Sequence, residues 1–125
     1  MARFRLASST RQHSPKMHCL MLSPGTHRVT LVRDGDYTAW ANVDAHQQPK
    51  YWTTEFYAFH HAHDNPTNVK VYSFLGQRAA TVDDAFANFV PSDIIIDGSY
   101  PLPVMFCVAD AQDKDNIGGL TVQVN

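Results

Sequence analysis

The chain has 125 residues and a mass of 14.0 kDa, room for one domain with a core that needs no crosslinks. Hydrophobic residues account for 44% and charged residues for 18%, the balance of a globular fold and not of a disordered tail. A net charge of −2 with neutral histidines argues against nucleic acid or an anionic membrane as partner.

The charge is unevenly spread. Residues 1–16 hold Arg3, Arg5, Arg11 and Lys16 and no acid, whereas Lys114 is the only base after Asp83. This start lacks the apolar segment of a secretory signal and reads as a flexible basic arm, 1–16, ahead of a single domain, 17–125. No run approaches the roughly 18 apolar residues that cross a bilayer, so membrane insertion is not expected. No cellular address follows from this.

Along the chain, strands account for the pattern better than helices. "MHCLML" (17–22) is short and apolar, and Pro24–Gly25 break it. "RVTLVR" (28–33) and "YTAWANV" (37–43) follow, separated by the turn "DGD". "KYWTTEFYAFH" (50–60) is rich in the aromatic and β-branched residues that pleated surfaces favour, and "HDNPTN" closes it as a turn. "VKVYSFLG" (69–76) alternates. "TVDDAFANFV" (81–90) fits a short helix with Thr81 as N-cap, although a strand over "AFANFV" fits nearly as well. "PVMFCVA" (103–109) is apolar without a break, which predicts a strand buried on both faces. "GLTVQVN" (119–125) alternates with Leu120, Val122 and Val124 inward. Cys19 and Cys107 lie in apolar runs and read as buried thiols. The expected fold is all-β: an antiparallel β-sandwich, jelly-roll or lectin-like, with at most one short helix.

Between the last two strands lies "DAQDKDNIGG" (110–119). Asp110, Asp113, Asp115 and Asn116 could wrap hard oxygens around one calcium ion, which takes about six to eight such ligands. Gly118 and Gly119 would then turn the backbone into the last strand. The ordinary alternative is a solvated Asp-rich hairpin.

The segment "CVADAQDKDNIGGLTVQVN" resembles the C-terminal part of the small calcium-dependent galactophilic bacterial lectins. "SPGTHRVTLVRDGDYTAWA" and "VKVYSFLGQ" are similar to earlier parts of that family, and the likeness spans about two fifths of the chain. It implies one calcium in the C-terminal loop, with sugar hydroxyls coordinating the ion. Asp110 would be the first carboxylate ligand, and Asp115 with Asn116 would replace a pair of asparagines. The loop is about two residues shorter than the family's. The family's His-Pro-Asp-Gln sugar-contacting segment is absent, and "DAHQQPK" offers His46 and Gln47 instead. Trp40 and Trp52 are candidates for stacking on a sugar ring.

"FHHAHD" (59–64) is a second constellation, in which His61, His63 and Asp64 could form an alternative metal site. Surface histidines at a strand end are the simpler account. No nucleophile motif, phosphate loop or dinucleotide fingerprint occurs, so no enzyme is expected. Two functions follow from these residues. The first is a calcium-dependent carbohydrate-binding, lectin-like module, multivalent through homo-oligomerisation. The second is a structural self-assembly subunit of a virion, appendage or inclusion body, using its N-terminal arm.

Overall fold

The computed structural model describes residues 1–8, 17–109 and 116–125. In chain order the strands are β1 (Ala2–Ala7), β2 (His18–Leu22), β3 (Gly25–Leu31), β4 (Trp40–Val43), β5 (Pro49–Thr53), β6 (Phe56–His61) and β7 (Val69–Phe74). A short helix, α1 (Val82–Ala87), precedes β8 (Ser92–Ile96), β9 (Leu102–Val108) and β10 (Asn116–Val124). All pairing is antiparallel and gives two sheets. One runs β5-β4-β10-β3-β8, with β1 also on β10, and the other runs β2-β9-β6-β7. They pack as a sandwich, with Leu6, Val29, Ile94, Leu120 and Val122 of the first sheet and Phe56, Val104 and Phe106 of the second in one core.

β10 is shared by three neighbours. Ser8 N donates to the Gly118 carbonyl on its β1 side. Gly119 N donates to the Ala39 carbonyl, and Val32 N to that of Thr121, on the opposite side. Neighbouring residues of a strand direct their backbone groups to opposite edges, so β4 and β3 follow each other along one edge while β1 holds the other. The change of partner falls at the two glycines. Gly118 has φ +79°, and a Cβ there would collide with the Ala39 carbonyl. A Cβ on Gly119 would stand 2.6 Å from the Leu6 carbonyl and 2.8 Å from the Tyr37 ring. Both glycines therefore lie inside the strand, not in a turn before it, and they serve close backbone approach.

The N-terminal residues depart from the expected flexible arm. Ala2–Ala7 form β1, paired with β10 from Ala2↔Val124 to Ala7↔Gly119. Phe4 and Leu6 enter the core, and the His18 ring stacks on Phe4 at 4.0 Å. Burial there holds His18 below its ordinary pKa. Arg5 is clamped as well: Nε lies 2.8 Å from Asp34 Oδ2, and the guanidinium sits over the Tyr37 ring. In "ARFRLA" Phe4 and Leu6 alternate with Arg3 and Arg5, a strand pattern that puts the apolar pair inward and the bases outward. The rest of that arm, 9–16, lies outside the described residues.

The helix is as read from the sequence, with Thr81 Oγ1 accepting from Asp84 N at 3.1 Å. β9 is not buried on both faces. Leu102, Val104, Phe106 and Val108 face the core, whereas Pro103 is exposed and Met105 and Cys107 are half-covered. Cys19 is exposed too, so neither cysteine is a buried core thiol.

Two outcomes are expected for the β1 clamp. Leu6→Ala should cost about 2–5 kcal/mol in urea unfolding, as for other buried leucines, whereas an unanchored arm would show no change. The hydrogen bond from Arg5, followed by that from Thr121, holds the Asp34 carboxyl below its usual 3.8. The unfolded chain therefore binds that proton first, so the contribution is complete above pH 3.8 and is lost as pH falls through the native value. Asp34→Asn should flatten that acid limb in urea midpoints measured against pH.

Candidate functional site

Asp110, Asp113 and Asp115 lie outside the described residues. Asn116 is described: it opens β10, is 5% exposed and stands directly opposite Asn42 of β4. Opposed residues of an antiparallel pair share a face, with Cβ atoms about 4.5–5.5 Å apart. This face is the inner one, because Trp40 lies two residues along β4 and belongs to the core. Asn116 Nδ2 donates to the Ser8 carbonyl at 3.0 Å, and Asn42 Nδ2 donates to Tyr51 Oη at 3.2 Å. Both Oδ1 atoms are buried, and among the described residues no donor reaches either of them. Turning the Asn116 amide over would bring its oxygen against the Ser8 carbonyl, which can only accept. Among the described residues the buried Thr54 hydroxyl likewise has no partner. A register shift between Asn42 and Val43 bends β4 at this point.

Glu55, the only glutamate, adjoins this end of the sandwich. Its carboxylate accepts from Thr53 Oγ1 at 2.9 Å and from Arg78 Nε at 3.1 Å. Its carbonyl accepts from Ala109 N, at the end of β9, and from Trp40 Nε1 at 3.0 Å. The acidic segment thus departs beside Glu55 and rejoins the fold at Asn116. Trp40 is 2% exposed and hydrogen-bonded inside, so it offers no stacking surface.

Trp52 is placed differently. It lies in line with Ala41 and Ile117 across β5, β4 and β10, on the outer face. Backbone bonds in both directions to Ala79, at 2.7 and 2.9 Å, hold its strand. A cleft of about 300 Å³ opens over Trp52 and Ile117, walled by Asp36 of a 3₁₀ turn (Gly35–Tyr37) between β3 and β4 and by Val82 of α1. His46 and Gln47 are not part of it. They occupy the exposed β4–β5 turn, where Asp44 Oδ1 accepts from the backbone N–H of His46 and Gln48, and Gln47 has φ 61°.

The histidine run is divided by strand alternation. His61 points out from β6 and is exposed, whereas His60, not singled out from the sequence, is buried. His60 Nδ1 lies 2.8 Å from the His61 carbonyl and Nε2 lies 3.1 Å from Tyr72 Oη, which donates to the Ile95 carbonyl. That chain ties β6 and β7 of one sheet to β8 of the other. His63 Nε2 donates to the Tyr100 carbonyl at 2.7 Å. A polar cleft of about 300 Å³ lies between His60, His63, Asp64, Asn68, Lys70 and Asp97. The hydrogen bond from Lys70, at 2.9 Å, holds the Asp97 carboxyl below its usual range. Among the described residues, no three His, Cys, Asp or Glu side chains are grouped to hold a metal. His61, His63 and Asp64 are accordingly not brought together as an ion site.

Sequence reasoning missed Asn42, His60, Lys70 and Asp97. Inward alternation with Phe56 and Ala58 could have found His60, but no local signal marks Asn42 as the neighbour of Asn116.

No protein-family model, curated protein or solved structure matches this chain. Among the described residues no helix is long and apolar enough to cross a membrane.

Glu55→Ala should cost about 1–3 kcal/mol, because the buried Thr53 hydroxyl and the Arg78 guanidinium lose a shared acceptor. Chemical denaturation measures this, and an unchanged midpoint would show that water replaces the carboxylate at no cost.

Proposed function

We propose that the chain is a calcium-dependent carbohydrate-binding module of the lectin-like β-sandwich kind. The observation that carries this reading is the pair of buried, donorless oxygens on Asn42 and Asn116, at the point where the chain emerges from its Asp-rich segment. Both are hard oxygen donors, with no thiolate or imidazole beside them in the pair, and such donors suit calcium better than zinc. Asp110, Asp113 and Asp115 would add the negative charge that the two amides lack. Bound calcium would act as a template for vicinal hydroxyls. Trp52 lies on the opposite, outer face of the same sheet, so its cleft with Ile117 is a separate apolar surface and does not pack against a sugar held by that calcium.

The second reading, a self-assembling structural subunit, is no longer supported by the arm's first residues. Arg3 and Arg5 are engaged within the chain, by Gln123 and Asp34. Deleting residues 1–16 would remove β1 and its core residues Phe4 and Leu6, so such a variant would report on folding under either reading. What favours self-association is the outer surface of the four-stranded sheet.

Thermal melts in EDTA and then in millimolar calcium test the first reading. Binding to the native state alone stabilises it by about 2.7 kcal/mol at a hundredfold excess over the dissociation constant, a rise of several degrees for this size. The rise should vanish in Asp113→Asn and in Asn116→Ala, and binding to a glycan array should require calcium. A melt indifferent to both additions would rule the reading out.

A further inference from the structure

The outer faces of the two sheets differ in kind. On the six-stranded sheet, Arg28 pairs with Asp93 and Arg3 with Gln123, so that surface is made for water. On the four-stranded sheet, the register sets a row across all four strands: Cys19, Met105, Phe59 and Val71. Beside it lie Cys107, Tyr57 and Ser73. On the other side Met21 pairs with Pro103, and His61 with Val69. None of these residues is Lys, Arg, Asp or Glu. Val71 is 62% and Met21 58% exposed. An apolar hollow of about 270 Å³ lies between Phe59, Val69, Pro103 and Met105.

We infer that this face is a self-association surface on which a second copy of the chain packs, sheet against sheet. Charge selects the occupant. A partner bearing ions would bury them without counterions here, whereas a second copy of the same face brings no Lys, Arg, Asp or Glu, and His61 is its one titratable imidazole. Flatness allows the packing, since sheets stack about 10 Å apart with aligned or orthogonal strands. Area sets the strength. Four strands about 4.8 Å apart, with three same-face positions about 6.6 Å apart, cover roughly 400 Å² in flat projection. Two copies remove about 800 Å² of flat area and more of the corrugated accessible surface, which matches a weak, reversible dimer and not an obligate one. The contact is independent of the calcium reading, because the Asn42–Asn116 pair lies on the inner side of the other sheet.

Sedimentation velocity of the full chain, from low micromolar to several hundred micromolar and with EDTA present, tests the inference. The expected result is a reversible monomer–dimer shift. Met21→Lys with Val71→Lys should raise the dissociation constant at least about ten-fold by placing unpaired charge in the contact, without altering circular dichroism or the melt at the lowest concentration. A wild-type chain that stays monomeric throughout would overturn the inference, as would a double variant that dimerises equally well. A monomer that instead cosediments with neutral phosphatidylcholine vesicles would replace the second copy by a lipid surface.

Discussion

The fold depends on the absence of two Cβ atoms. β10 can pass from β4 to β3 along one edge, with β1 on the other, only because Gly118 and Gly119 admit the Ala39 and Leu6 carbonyls and the Tyr37 ring. A methyl at either position would force backbone, not a flexible side-chain tip, to move. The consequence reaches both ends of the strand. Past the glycines, Leu120, Val122 and Val124 enter the core, and Thr121 Oγ1 reaches Asp34, which also holds Arg5. Before them, the same strand sets Asn116 opposite Asn42. Core and candidate site thus share one backbone constraint.

The two sheets divide the remaining work by the chemistry of their outer faces. Ion pairs on the six-stranded sheet are largely exposed and contribute little stability each. They keep that face hydrated and its edges unattractive to other strands. The opposite surface has no such protection, and a contiguous apolar patch of several hundred Å² generally marks an interaction site. A sugar-binding module with one weak site per chain gains from this arrangement, because a second copy supplies a second site at high effective concentration. On the two proposals, sugar recognition and self-association would occupy different sheets and would not compete.

What was legible in the sequence was local. Alternation in "GLTVQVN", the Thr81 cap and the turns around Pro24 and Asn65 each depend on a few neighbouring residues, and the structure keeps them. What was not legible depended on pairing. The apolar run of β9 looked doubly buried because nothing in it tells that one face lacks a covering layer. Trp40 and Trp52 look alike in sequence, yet alternation and register send one to the core and the other to a cleft. The glycines after the acidic segment looked like turn residues, and only the neighbouring carbonyls and ring reveal their role. Asn42 and Asn116 are 74 positions apart, and no spacing rule links them.

The asparagine pair is more than a packing imperfection. Each buried acceptor without a donor costs about 1–3 kcal/mol. Together they would consume a sizeable part of the roughly 5–15 kcal/mol that holds a domain folded. Two species relieve that cost: a water, which donates two hydrogens, or a cation. They differ in what they require from the neighbouring sequence. A water is indifferent to carboxylates, whereas a divalent cation held by two neutral amides alone is weakly bound. Three aspartates in the six residues before Asn116 supply the charge that a cation needs and a water does not. On the proposed reading, the acidic sequence leading into Asn116, more than the oxygen pair by itself, is what would favour calcium over solvent.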